Sequence, residues 1–151
     1  MKGSPAMQAP NSKVGPVDLH RVPTGDTLPA ALYQLCAQHG WPSAVCTGIG
    51  GVADVVLAYY DLTSREYQTF AVPGIVELVA LNGNLTSRNG DPFWHLHAVV
   101  ADATGRTWGG HLMSCTVALT IELAVWPIAR VRTRTAHEPL GLYLLDDPAD
   151  E

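Results

Sequence analysis

The segment Phe93-Trp94-His95-Leu96-His97-Ala98-Val99-Val100 carries two histidines in an alternating pattern. Side chains on an extended strand repeat with period two, so His95 and His97 face the same way. The next residues, Asp102-Ala103-Thr104-Gly105-Arg106, suit a three-residue hairpin loop. Ala103 and Thr104 form a type I turn and Gly105 takes the left-handed position. Asp102 then opposes Arg106, and counting outward from that pair sets His111 opposite His97. Directly opposed residues hold their β-carbons about 4.5–5.5 Å apart, so three imidazoles converge on one patch. A four-residue loop would turn His111 to the other face, unless a bulge at Gly109-Gly110 restored the alignment.

Three histidine ligands with an open fourth position are the arrangement of catalytic zinc. A divalent metal, zinc first, is therefore the expected cofactor; imidazole also accepts Fe, Ni or Cu. Hydrolysis or hydration is the chemistry such a site supports. The competing reading is a histidine cluster that only hydrogen-bonds.

Two carboxylates interrupt apolar runs: Glu77 in Ile75-Val76-Glu77-Leu78-Val79-Ala80-Leu81, and Glu122 in Leu119-Thr120-Ile121-Glu122-Leu123-Ala124-Val125. A buried carboxylate needs a partner or a proton. Glu77 is thus a candidate acid/base, or a partner that orients a ligand histidine; a salt bridge to arginine serves equally. Arg130, Arg132 and Arg134 alternate and, on a strand, face one way. They suit a small anionic ligand, although a charge-blunted edge strand gives the same pattern. His20, His39 and His137 read as isolated surface or capping residues. Gly48-Ile49-Gly50-Gly51 lacks the spacing of a phosphate-binding loop and reads as a tight turn.

The elements that must position these groups follow from periodicity. Val17–Val22 is a strand candidate. Leu28, Ala31, Leu32, Leu35 and Cys36 form one apolar helical stripe. Asp26 or Thr27 is its expected cap, Pro29 suits the first turn, and Gly40 is its stop. Everything after reads as β: 43–49, 52–60, 66–72, 75–82, 93–102, 106–113, 116–126, 129–135 and 140–145. The expected fold is α+β, a mostly antiparallel sheet with one or two packed helices. Residues 17–145 make one domain, 1–16 a disordered tail rich in Pro, Gly and Ser, and 146–151 a short acidic tail. Several strands are apolar on both faces, Val52–Tyr60 above all. One helix cannot cover both, so a second layer is needed, either another part of the sheet or, as the favoured reading, a neighbouring subunit.

Composition sets the limits. Of the 151 residues, 47% are hydrophobic and only 15% charged, which excludes disorder of the whole chain. Net charge is −5, so whole-molecule attraction to DNA is not expected. Three separated cysteines form no disulfide or metal-binding framework and read as buried thiols of a cytoplasmic protein. No run reaches the length of a membrane helix, and the N-terminus lacks the apolar stretch of a secretory signal.

Several segments in order resemble the PPC (plant and prokaryote conserved) domain family. They are Arg21 with Gly25-Asp26, Gly48-Ile49-Gly50, Tyr59-Tyr60-Asp61, Gly74-Ile75-Val76-Glu77-Leu78, Leu81-Asn82-Gly83-Asn84, His95-Leu96-His97 and Gly109-Gly110-His111-Leu112. The resemblance spans Val17 to Tyr143. It implies an α+β fold, a homotrimer, and His95, His97 and His111 as the metal site of prokaryotic members. The plant branch implies DNA binding and transcriptional regulation, but this chain has no AT-hook, no Arg-Gly-Arg-Pro core and no basic arm.

Overall fold

The structure, a computed structural model, describes residues 17–146. The expected N-terminal tail and nearly all of the acidic tail lie outside the described residues.

The chain runs β1 (Asp18–Val22), β2 (Thr27–Leu28), α1 (Ala30–His39), β3 (Ser43–Asp61), β4 (Glu66–Val72), β5 (Val76–Arg88), β6 (Asp91–Ala101), β7 (Thr107–Ile128), β8 (Thr133–His137) and β9 (Leu142–Leu145). All strands join one sheet in the order β4-β3-β7-β6-β5-β8-β9, with β1 and β2 also on β7. Pairing is antiparallel throughout except between β5 and β8. The α+β class is as expected, with one helix among the described residues.

The second layer is the sheet itself. β3 pairs with both β7 and β5, and β6 pairs with the same two strands. Four strands therefore close into a ring of ladders. Val52, Val55, Leu57, Leu78, Leu81, Leu96, Val100, Ile121 and Leu123 are all at most 2% exposed within the single chain. Closure covers the inward side chains of the doubly apolar strands, while Ile49 on β3 and Val79 on β5 stay 56% and 51% exposed on the outward face. Burying each inward side chain contributes about 1.5–3 kcal/mol.

Closure needs long, bent strands, and this explains where the expected boundaries fail. Gly48–Gly51 is no turn: it lies inside the nineteen-residue β3, where the register slips between Gly48 and Gly50 and again between Gly50 and Val52. A β-carbon at Gly50 would sit 2.1 Å from the Thr120 carbonyl oxygen, so the bulge brings two backbones closer than any side chain permits. Likewise 106–113 and 116–126 are one strand, β7, and 75–82 runs on to Arg88.

α1 seals one face of the core with Ala31, Leu32 and Cys36. Its start differs from expectation. Leu28 belongs to β2, opposite Cys115, and Pro29 takes the N-cap position with no side-chain cap. The Pro29 carbonyl accepts the amides of Leu32 and Tyr33. Gly40 ends the helix in the left-handed conformation, as expected. No helix among the described residues is long and apolar enough to cross a membrane.

Candidate metal centre

β6 alternates strictly. Trp94, Leu96, Ala98 and Val100 enter the core, so His95 and His97 project from the opposite face. The loop after β6 has the expected form. Asp102 N donates to the Arg106 carbonyl at 3.0 Å, Gly105 N to the Asp102 carbonyl at 2.9 Å, and Gly105 has φ +82°. The Asp102 carboxylate locks the turn by accepting Thr104 N, Thr104 Oγ1 and Arg106 N at 2.8, 2.7 and 3.1 Å. These bonds hold its pKa below the usual aspartate value. With the turn so fixed, His97 lies in register with His111.

The three rings form a triangle with centroids 5.1, 5.2 and 5.4 Å apart. One potential ligand atom from each lies within 4.8 Å of the other two, so the cluster can hold a metal ion. His95 and His111 are half-buried and His97 is exposed. Burial is the main cause that pushes His95 down to about 4, reinforced by Arg134, His111 and His97. His111 is lowered too, by burial first and then by His97. The two half-buried rings are thus neutral at pH 7, the state in which imidazole binds metals. The Nδ1 atom of His111 is buried without a hydrogen-bond partner. A buried, orphaned nitrogen is costly in a cluster that only hydrogen-bonds. That atom and the all-imidazole donor set fit a divalent metal of borderline softness.

A cleft of about 520 Å³ opens against His95 and His111. Its walls come from β3, β4, β5, β6, β7, β8 and β9 and the loop before β9, and they include Tyr60, Tyr67, Phe93 and Tyr143. The Tyr67 ring lies 4.6 Å from that of His111. Burial, then Tyr60, raises the Tyr67 pKa.

The expected arginine stripe is divided. Arg130 and Arg132 precede β8, and Arg132 Nη2 donates to the Asp146 carbonyl at 2.6 Å. Arg134 enters the cleft, with Nε on Thr86 Oγ1 at 3.0 Å and Nη2 on Asn84 Oδ1 at 2.8 Å and His95 Nδ1 at 3.4 Å. β8 is no edge strand, since it lies between β5 and β9.

Glu77 is not brought to the histidines within the chain. It is exposed on β5 opposite Ala101, four residues and thus roughly 13 Å along β6 from His97. It lines a separate groove with Ile49, Val79 and Glu122. Glu122 is exposed as well, so neither carboxylate interrupts a buried run; both stand on an outer face. His20 and His39 are not isolated: they pack with Trp41, and the His39 and Trp41 rings stack at 4.7 Å. Sequence reasoning missed Arg65, Tyr67, Arg88 and Tyr143, which lie on three separate segments and gain meaning only in the cleft.

Three solved structures resemble this fold closely. A plant- and prokaryote-conserved protein from Pyrococcus horikoshii has a TM-score of 0.82 at 28% identity, covering 88% of this chain and 92% of its own. A metal-containing protein from Archaeoglobus fulgidus has 0.81 at 27%, covering 89% and 96%. A provisionally named DNA-binding protein from Bacteroides thetaiotaomicron has 0.83 at 25%, covering 89% and 94%. The chain spans only 15–18% of the length of the curated relatives it matches, the bifunctional GlmU proteins of two Synechococcus strains, at 30–32% identity over 66–80% of this chain. The sequence profile of the Plants and Prokaryotes Conserved domain matches residues 11–129. With the histidine hairpin, the closed sheet and this match together, the chain belongs to the Plants and Prokaryotes Conserved domain family.

Proposed function

We propose that this chain is a metal-binding member of its family, with His95, His97 and His111 holding one divalent ion, zinc first. The in-register pairing of His97 with His111, with His95 two residues along, is the observation that carries the reading. The orphaned Nδ1 of His111 and the metal-containing relative from Archaeoglobus fulgidus support it. An ion bound there supplies Lewis-acid polarisation of an oxygen-bearing ligand. The role is ligand sensing or metal-dependent chemistry on a small molecule in the cleft. A homotrimer, as the resemblance implies, is the proposed assembly. The exposure of Leu19 (81%), Ile75 (69%), Leu119 (59%) and Ile49 (56%) supports it, and light scattering at three chain masses tests it.

Elemental analysis of untagged protein tests the metal reading, wild type beside His97→Ala. His97 is exposed, so the variant keeps its core. The expected result is about one metal per chain, lost in the variant. No metal after reconstitution with Zn, Fe, Ni or Co overturns it.

A second reading, duplex DNA binding through the assembled surface, draws on the relative from Bacteroides thetaiotaomicron. The net charge of −5 and the withdrawal of Arg134 into the cleft weigh against it. A mobility shift with nonspecific duplex at low salt decides it, and no binding at micromolar protein sinks it.

A further inference from the structure

We infer that the cleft beside the histidines is a receptor for a small organic oxyanion, a carboxylate or phosphate ester with an apolar body. The inference deepens the metal reading, on which it rests only for the ion at the cleft floor.

The charge balance of the cleft carries the argument. Arg65, Arg88 and Arg134 line it against one carboxylate, Glu66. Arg134 is half-buried, and its hydrogen-bond partners among the described residues are uncharged oxygens and the His95 ring. Arg134 also pairs in register with Arg88 across the β5–β8 contact, so the two guanidiniums share one end of the cleft. Arg88 lies 4.1 Å over the face of Phe93 and 5.4 Å over that of Tyr143. Arg65 Nη1 donates to the Glu138 carbonyl at 3.4 Å. A half-buried cation such as Arg134, with only neutral partners, is unfavourable until an anion joins it. Guanidinium is also the side chain suited to two-point recognition of carboxylate and phosphate.

The remaining walls say what the rest of the ligand is. Tyr60, Tyr67, Phe93, Tyr143, Met113 and Leu142 give the cleft an aromatic and aliphatic lining. That lining suits an organic body and not a bare inorganic ion. The volume of about 520 Å³ lies in the range of small-molecule sites.

The test uses three probes with one ring: benzoate, phenyl phosphate and neutral benzamide. Each is titrated by calorimetry into metal-free protein and into protein reloaded with zinc, for wild type and Arg88→Met. Arg88 is exposed, so the variant folds. The expected result is that at least one anion binds at least tenfold more tightly than benzamide, and that Arg88→Met removes most of that gap. Whichever anion is preferred distinguishes a carboxylate from a phosphate ligand. Benzamide binding as tightly as both anions overturns the inference, as does an unchanged anion affinity in Arg88→Met. Anion binding by protein that takes up no zinc leaves this inference standing while the metal reading falls. Zinc uptake without anion discrimination does the reverse.

Discussion

Adding one methyl group at Gly110 tests whether strand spacing sets the histidine geometry. Gly110 precedes His111 on β7 and faces Ala98 across the ladder to β6. A β-carbon there would lie 2.7 Å from the Ala58 carbonyl oxygen on β3. Close carbon–oxygen contacts in sheets are about 3.3–3.6 Å, so β7 and β3 must part by roughly 0.6 Å. Backbone on both sides gives no flexible group to yield. His111 is in register with Ala58 as well as with His97, so the displacement falls on the site. Gly109 is the internal control: a β-carbon there meets only the Ala98 oxygen and Val99 Cγ2, both at an ordinary 3.5 Å.

Overpacking of this kind costs about 1–3 kcal/mol, a fall in Tm of about 3–10 °C for a chain of this size. Productive ligand geometry tolerates about 0.5 Å, so zinc affinity in Gly110→Ala falls at least about tenfold. Gly109→Ala leaves the affinity unchanged and the Tm equal or slightly raised, because it restricts only the unfolded chain. Circular dichroism melts and competitive zinc titration with a chelating dye measure both. Equal behaviour of the two variants would refute the claim that β3–β7 spacing places His111.

Three further outcomes follow from the geometry. Burial pushes Cys46 up to about 12 and Cys115 to about 11, and raises Cys36 as well, so a thiol reagent at pH 8 labels none of them until the protein unfolds; rapid labelling of Cys46 in the folded protein would contradict its burial. Asp102 has its pKa depressed by the turn, so its contribution to stability is present above about pH 4 and lost as pH falls through the folded value; Asp102→Asn lowers Tm at pH 7, and the gap to wild type closes in acid, whereas a constant gap from pH 7 to pH 2 would show that charge plays no part. A dication bound between the histidines is repelled by Arg134 until an anion occupies the cleft, and linkage makes such coupling reciprocal; zinc affinity therefore rises on adding the preferred aromatic anion and loses that rise in Arg88→Met, and additive binding would deny the coupling.

The histidine pair was legible because turn chemistry fixes register. Asp102, Gly105 and Arg106 specify one loop geometry, and His111 follows by counting. Glycine was less legible, since one residue type serves opposite purposes. Gly105 makes a turn, whereas Gly50 and Gly83 lie inside strands where backbones crowd: a β-carbon at Gly83 would meet the His95 carbonyl at 2.3 Å. Taking Gly48–Gly51 as a turn and ending the next strand at 82 leaves β3 and β5 short. The exposure of Glu77 and Glu122 depended on closure of the sheet, which local alternation does not reveal. The cleft was illegible for the same reason. Arg88 and Arg134 are brought together by two residue pairs of a parallel contact, Ser87 with Thr133 and Arg88 with Arg134.

That short contact links the two halves of the site. The histidines stand on antiparallel strands joined by a tight loop, so they assemble as soon as one hairpin forms. The placing of Arg134 beside Arg88 depends on β8 crossing to β5, a contact distant in sequence and supported by the Arg132 amide on Ser43 Oγ at 2.8 Å. A hairpin-local metal centre and a distant-contact anion clamp need not be lost together. Loosening β8 would withdraw Arg134 from the cleft and leave the three imidazoles in register. The hairpin accounts for where an ion would sit, and the crossing of β8 accounts for what the cleft would select.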